Sequence, residues 1–172
     1  MKFKLRFPGG AIAHWAEQYP AIYDDEPVVA LGEVARATGY LTREQFLNIA
    51  EWKTKRSKSR CRKNSEEFVR AVTSSALASD EPRFKIEVLR LLDGVDWATA
   101  SVVLHFCDRE KWPILDFRAF WSLGEEVPRN LDFDSWQNYT SFTRELAQEW
   151  SVSMRTLDMA LWSYSKVNQK PA

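Results

Sequence analysis

The chain has 172 residues, 45% of them hydrophobic, which is enough for one domain, or two small interdependent lobes, with a real core. Its 24 Lys and Arg balance 24 Asp and Glu, so no global charge commits it to nucleic acid, and only local clustering can make an anion-binding surface. Two cysteines, Cys61 and Cys107, are too few for a disulfide framework or a structural zinc site, and with His14 and His105 so far apart no metal site or other cofactor is expected.

In chain order, Phe3, Leu5 and Phe7 alternate with Lys4 and Arg6 before Pro8-Gly9-Gly10, the pattern of a short strand or extended arm. That segment lacks the apolar run of a signal peptide, and no window approaches a membrane span. A soluble, cytoplasmic protein with no membrane partner is therefore expected. A helix is expected over about 10–19, ended by Pro20, then a loop through Asp24-Asp25-Glu26-Pro27, then a helix over 29–38 closed by Gly39. Thr42-Arg43-Glu44-Gln45 is a capping box opening a helix to about Trp52, with Phe46, Leu47 and Ile49 inward. Asn64-Ser65-Glu66-Glu67 is a second, opening a helix to about Ser79 with the stripe Phe68, Val69, Val72, Ala76 and Leu77.

The richest stretch follows. Pro82 suits a first helical position, and Phe84, Ile86, Val88, Leu89 and Leu92 supply an apolar face. Gly94 turns the backbone, and Asp96 is a fitting N-cap for a second helix, giving a hairpin of helices over 82–92 and 97–106. Pro113-Ile114-Leu115-Asp116 leads into a helix to about Leu123, starting at or near Asp116. A polar loop spans 124–131, Asp134 opens a long helix to about Trp150, and Ser153 begins the last one, to about Lys166. The chain is expected to be all-α.

Two compositional features stand out. Lys53, Lys55, Arg56, Lys58, Arg60, Arg62 and Lys63 crowd eleven residues without an acid, a local surface suited to phosphate backbones; the alternative is a merely solvated loop. There are eight tryptophans. Trp52, Trp97, Trp112 and Trp121 are candidates to line a pocket for a stacked base, against the ordinary role of core packing. Asp116 lies among Ile114, Leu115, Phe117 and Phe120, so its carboxylate is expected to be partly desolvated, or to act simply as the N-cap of 117–123. His105 reads as a satisfied interior histidine.

Over about residues 82–123 the chain resembles the helix-hairpin-helix DNA glycosylases, the endonuclease III-like enzymes. Their hairpin has the form L-P-G-V-G-x-[K/x]-T-A, followed by an apolar helix, a proline and an essential aspartate. Leu92, Gly94, Val95, Thr99 and Ala100 match the hairpin, and Asp116 falls where the family aspartate falls. The resemblance implies a single helical glycosylase-like domain over 1–172, two helical lobes with a cleft between them, and a DNA partner, double-stranded with one base flipped out. It implies backbone contact to a phosphate at Gly94, Val95, Asp96 and Thr99, and catalysis of N-glycosidic cleavage by Asp116, the chemistry of base excision repair. Three departures shape that reading. The two cysteines exclude the four-cysteine iron–sulfur cluster of many relatives. The second hairpin glycine is Asp96, a negative side chain beside a docking phosphate unless it turns away as a cap. The lysine with which bifunctional members form a Schiff base is Ala98, so the implied enzyme is a monofunctional, water-using glycosylase, a hydrolase. A catalytically inactive DNA-binding module of the same fold, or a helical protein-interaction domain, are the alternatives left open.

Overall fold

The computed structural model describes residues 1–170. Among these are ten α-helices, two short 3-10 turns and no strand. The chain forms two compact units: residues 1–23 with the segment from Pro113 onward, and residues 24–112.

The 24–112 unit holds the hairpin. Its helices are α2 (Glu26–Thr38), α3 (Arg43–Lys53), α4 (Lys58–Cys61), α5 (Glu66–Ala78), α6 (Pro82–Leu89) and α7 (Trp97–Cys107). Helix α7 is its centre and packs against α2, α3 and α6. Nine of its eleven residues are buried, among them Trp97, Ala100, Val102, Val103 and Leu104, so it shows no polar face. The α2–α7 contact is made at backbone distance. A Cβ on Gly32 would lie 2.1 Å from the Phe106 carbonyl oxygen, so only glycine fits there.

The caps follow the local chemistry. Thr42 and Gln45 form the expected capping box, and Ser65 caps α5 by accepting from Phe68 N–H. The expected second box does not form: the cap is Ser65 and not Asn64, which puts Phe68, with no carboxylate, at the third helical position in place of Glu67. Helix α2 begins three residues earlier than expected, since an acid and a proline are both favourable in a first turn. Two aromatics expected to face inward do not: Phe68 is 43% and Phe84 46% exposed. The inward place beside Phe84 belongs to Lys85, whose Nζ donates to Asp108 at 2.6 Å. Trp112 Nε1 donates to the same carboxylate oxygen at 2.7 Å. A buried charge is tolerated only when paired and hydrogen-bonded in this way.

The other unit contains α1 (Ile12–Glu17), α8 (Phe117–Ser122), α9 (Phe133–Glu149) and α10 (Met154–Asn168), with α10 packed on α1, α8 and α9. The N-terminal segment is an extended arm and not a strand. Lys4 and Arg6 donate N–H bonds to the carbonyls of Leu123 and Ser122, while Phe3 meets Phe120, Tyr139 and Phe142. Asp132, and not Asp134, caps α9, accepting from Ser135 N–H at 2.9 Å.

Candidate nucleic-acid interface and carboxylate site

The basic segment is not a plain loop. A 3-10 turn over Lys55–Ser57 runs into α4, and Ser57, Cys61 and Asn64 are buried at helical spacing while the cations between them face outward. Lys55, Arg56, Arg60, Arg62 and Lys63 are exposed. Lys58 is half-buried and paired with Glu51 at 2.6 Å, which draws the Glu51 carboxyl below its usual range. Lys53 is half-buried at the end of α3. Arg43 braces the segment's end, its guanidinium donating to the carbonyls of Arg62 and Asn64 at 2.6 and 2.8 Å.

This segment lies directly on the hairpin turn. Asn64 forms a two-way clamp with Asp93, receiving its N–H at 2.8 Å and donating to its carbonyl at 3.0 Å. Gly94 has φ +83°, and a Cβ there would meet Cys61 Sγ at 2.7 Å, Cys61 N at 2.8 Å and Arg60 Cβ at 3.0 Å. Glycine is therefore required twice over, by the left-handed backbone and by the close approach of α4. Burial under the turn pushes the Cys61 thiol above its usual range.

The other hairpin residues fall into place around that contact. Val95 N–H donates to Leu92 O, and Thr99 is buried with its N–H donating to Asp96 Oδ1 at 2.8 Å. Asp96 is thus the N-cap of α7, its side chain turned onto the helix end.

In the other unit, Asp116 caps α8, accepting from Arg118 N–H at 2.9 Å, and is partly exposed. The backbone two residues before it is held from both sides. Tyr139 OH donates to Ile114 O at 2.9 Å, and the buried Asp158 carboxylate accepts from Ile114 N–H at 3.3 and 3.4 Å. Burial, and then the negative charges of Asp158 and Asp116, push the Tyr139 phenol well above its ordinary value, so it stays a proton donor. Arg118 does not fold back on Asp116 through its guanidinium, which lies 4.9 Å from the ring centre of Phe117 and 5.4 Å from that of Trp162. Trp162 in turn meets Tyr19 and Tyr23 edge-on. Phe117 is 58% exposed beside the carboxylate.

The four tryptophans have separate fates. Trp112 is core, and Trp97 is nearly so, with Arg90 stacked on it at 4.1 Å. Trp52 is half-buried and edge-on to Phe106 at the far end of α7, about 14 Å along the helix from Trp97. Trp121 is half-buried under the Arg6 guanidinium. Trp52 and Trp97 therefore do not share one pocket, and Trp112 has no surface to offer a base. His105 is the satisfied histidine expected, bonded through Nδ1 to Trp112 O at 2.6 Å. Among the described residues no cluster of three His, Cys, Asp or Glu could hold a metal ion. No described helix is long and apolar enough to cross a membrane.

Asn64, Arg43, Tyr139 and Asp158 were not legible as site residues. Asp158 carried one signal: an acid on the inward stripe of Met154, Leu157 and Leu161.

Two short-linked helices carried through a glycine turn, with a carboxylate at the head of a following helix, make this the fold of the helix-hairpin-helix DNA glycosylases. A solved structure with that fold is an 8-oxoguanine glycosylase/lyase from Methanocaldococcus jannaschii, in complex with a 15mer DNA containing 8-oxoguanine. It is similar at a TM-score of 0.52 and 15% identity, over 93% of this chain and 84% of that one. No protein-family model and no curated protein matches the chain.

Proposed function

We propose that this chain binds DNA through the hairpin and the 53–63 segment and hydrolyses the N-glycosidic bond of a damaged or modified base, with Asp116 as its catalytic carboxylate. The observation that carries the reading is the Asn64–Asp93 clamp with the Gly94–Cys61 contact. It joins five exposed cations to the hairpin turn as one surface. A phosphate backbone on that surface meets cations whose counterions it releases, so affinity falls steeply with salt.

In the chemical step the bond from the base nitrogen to the sugar C1′ breaks, its electron pair leaves with the base, and water supplies the new C1′ hydroxyl. The Asp116 carboxylate stabilises the oxocarbenium-like sugar and orients the attacking water, whose released proton ends on the nitrogen of the departed base. Tyr139 and Asp158 act as positioning residues by fixing Ile114. Ala98 supplies no amine, so the product is an abasic site with an intact strand.

The test uses fluorescent duplexes bearing different lesions, followed by alkali to reveal abasic sites. Base release that leaves strands intact until alkali is added, with no borohydride-trapped adduct, is the expected result. The second reading, a DNA-binding module without chemistry, is favoured by the bond from Arg118 N–H to Asp116, which gives that carboxylate a purely structural task. Salt-dependent binding without base release from any duplex would select it. In either reading, replacing Lys55, Arg56 and Arg60 with alanine weakens binding and flattens the log–log salt slope by roughly one unit per lost contact.

A further inference from the structure

Helices α2, α5 and α7 end around one cavity of about 440 Å³, lined by Thr38, Ala78 and Cys107, the last residue of each. It lies wholly within the 24–112 unit, at the end of α7 away from the hairpin turn. At its floor is Lys85, only 3% exposed. An ammonium has three N–H donors, and among the described residues the acceptor for Lys85 is Asp108. That carboxylate is already committed: it accepts from Lys85 Nζ at 2.6 Å, Trp112 Nε1 at 2.7 Å and Arg109 N–H at 2.7 Å. The floor therefore leaves donors unmet, on a cation whose dehydration accompanied folding. The half-buried Arg36 adds guanidinium N–H groups beyond the Nη1 that donates to Phe106 O.

The rim has the opposite need. Asp80 is exposed there, and the three helix C-termini add partial negative charge, which favours a cation. Over the whole lining Arg36, Lys85 and Arg109 balance Asp80, Asp108 and Glu110, so a ligand with net charge of either sign meets repulsion as well as attraction. Among the described residues no lining side chain is aromatic, so a nucleobase finds no ring to stack on. Burial pushes the Cys107 thiol up to about 12, which keeps it protonated and unreactive.

We infer that this cavity is a binding site for a small zwitterion of the α-amino acid type, its carboxylate on Lys85 and Arg36 and its ammonium toward Asp80 at the mouth. The site is separate from the proposed DNA surface and does not depend on that reading. Its volume is in the range of small-molecule sites, and Ala35, Leu77 and Ala78 give a short apolar side chain something to pack on. Inorganic phosphate and simple carboxylates answer the floor but leave Asp80 and the helix ends without a cation, so they bind less well.

The test is isothermal titration calorimetry of the full chain with L-alanine, L-serine, L-valine, L-leucine and L-glutamine, with acetate, inorganic phosphate and methylamine as controls. The variants are Asp80→Asn, Ala78→Phe and the paired replacement of Lys85→Met with Asp108→Leu, each verified as folded by circular dichroism. The paired replacement leaves no lone buried charge, whereas Lys85→Met by itself strands Asp108. Ala78 is exposed at the end of α5 and accepts a larger side chain, so Ala78→Phe decides the question if the paired variant does not fold. The expected result is saturable binding of at least one amino acid, weakened about tenfold in Asp80→Asn, where a charge-assisted bond becomes a neutral one. Binding is lost in Ala78→Phe and in the paired variant. No heat of binding from any of the amino acids overturns the inference. So does equal binding of acetate or phosphate, which marks an anion site only. Unchanged affinity in Ala78→Phe, or in a folded paired variant, places the ligand elsewhere and overturns it too. Full affinity in Asp80→Asn removes the ammonium from the mouth and with it the zwitterion.

Discussion

Asp96 and Asp116 present the same local motif, an extended aspartate whose carboxylate closes the first turn of a helix, one in each compact unit. Their surroundings differ. Asp96 is an exposed cap on a helix that is held elsewhere, by its buried flanks and by the Lys85–Asp108–Trp112 cluster at its other end. Asp116 caps a six-residue helix, and the chain leading to it is gripped by a buried tyrosine and a buried acid. A cap motif alone thus says nothing about chemistry. The investment of buried polar groups behind it distinguishes a carboxylate that merely ends a helix from one whose position is over-determined.

The sharpest way to break this contrast is at the far end of α7. Asp108→Ala leaves Lys85 charged and buried without its partner, and is expected to cost about 3–5 kcal/mol in urea unfolding. A loss below about 1 kcal/mol would show that the cluster does not hold the helix.

Next is Asp116→Asn, which keeps the cap and removes the charge. Single-turnover base release is expected to fall by about 10²–10³-fold while duplex affinity stays the same or rises. Full activity would remove Asp116 from the mechanism and leave it an ordinary cap.

Tyr139→Phe deletes only the bond to Ile114 O and orphans a buried carbonyl, for an expected loss of about 1–3 kcal/mol in stability. Base release should decline with it, and restoring the hydroxyl is the only substitution expected to recover both.

Asp96→Ala should have the smallest effect, about 1 kcal/mol for a lost N-cap. A cost as large as that of Asp108→Ala would erase the difference between the two ends of α7.

The sequence by itself determined the all-helical architecture, the hairpin and most of the caps, because periodicity, Pro82, Gly94 and the Ser, Thr and Asp caps act over a few residues. It placed Asp116 at a helix start for the same reason. What only the tertiary structure decided are the partnerships between segments distant in the chain: Asn64 with Asp93, Arg60 and Cys61 with Gly94, Tyr139 and Asp158 with Ile114, and Lys85 with Asp108. The tertiary structure also left Phe68 and Phe84 exposed, took Lys85 in beside Asp108, and put Trp112 in the core. Helix propensity is local and legible, whereas the pairing of a buried polar group depends on which surface the fold brings against it.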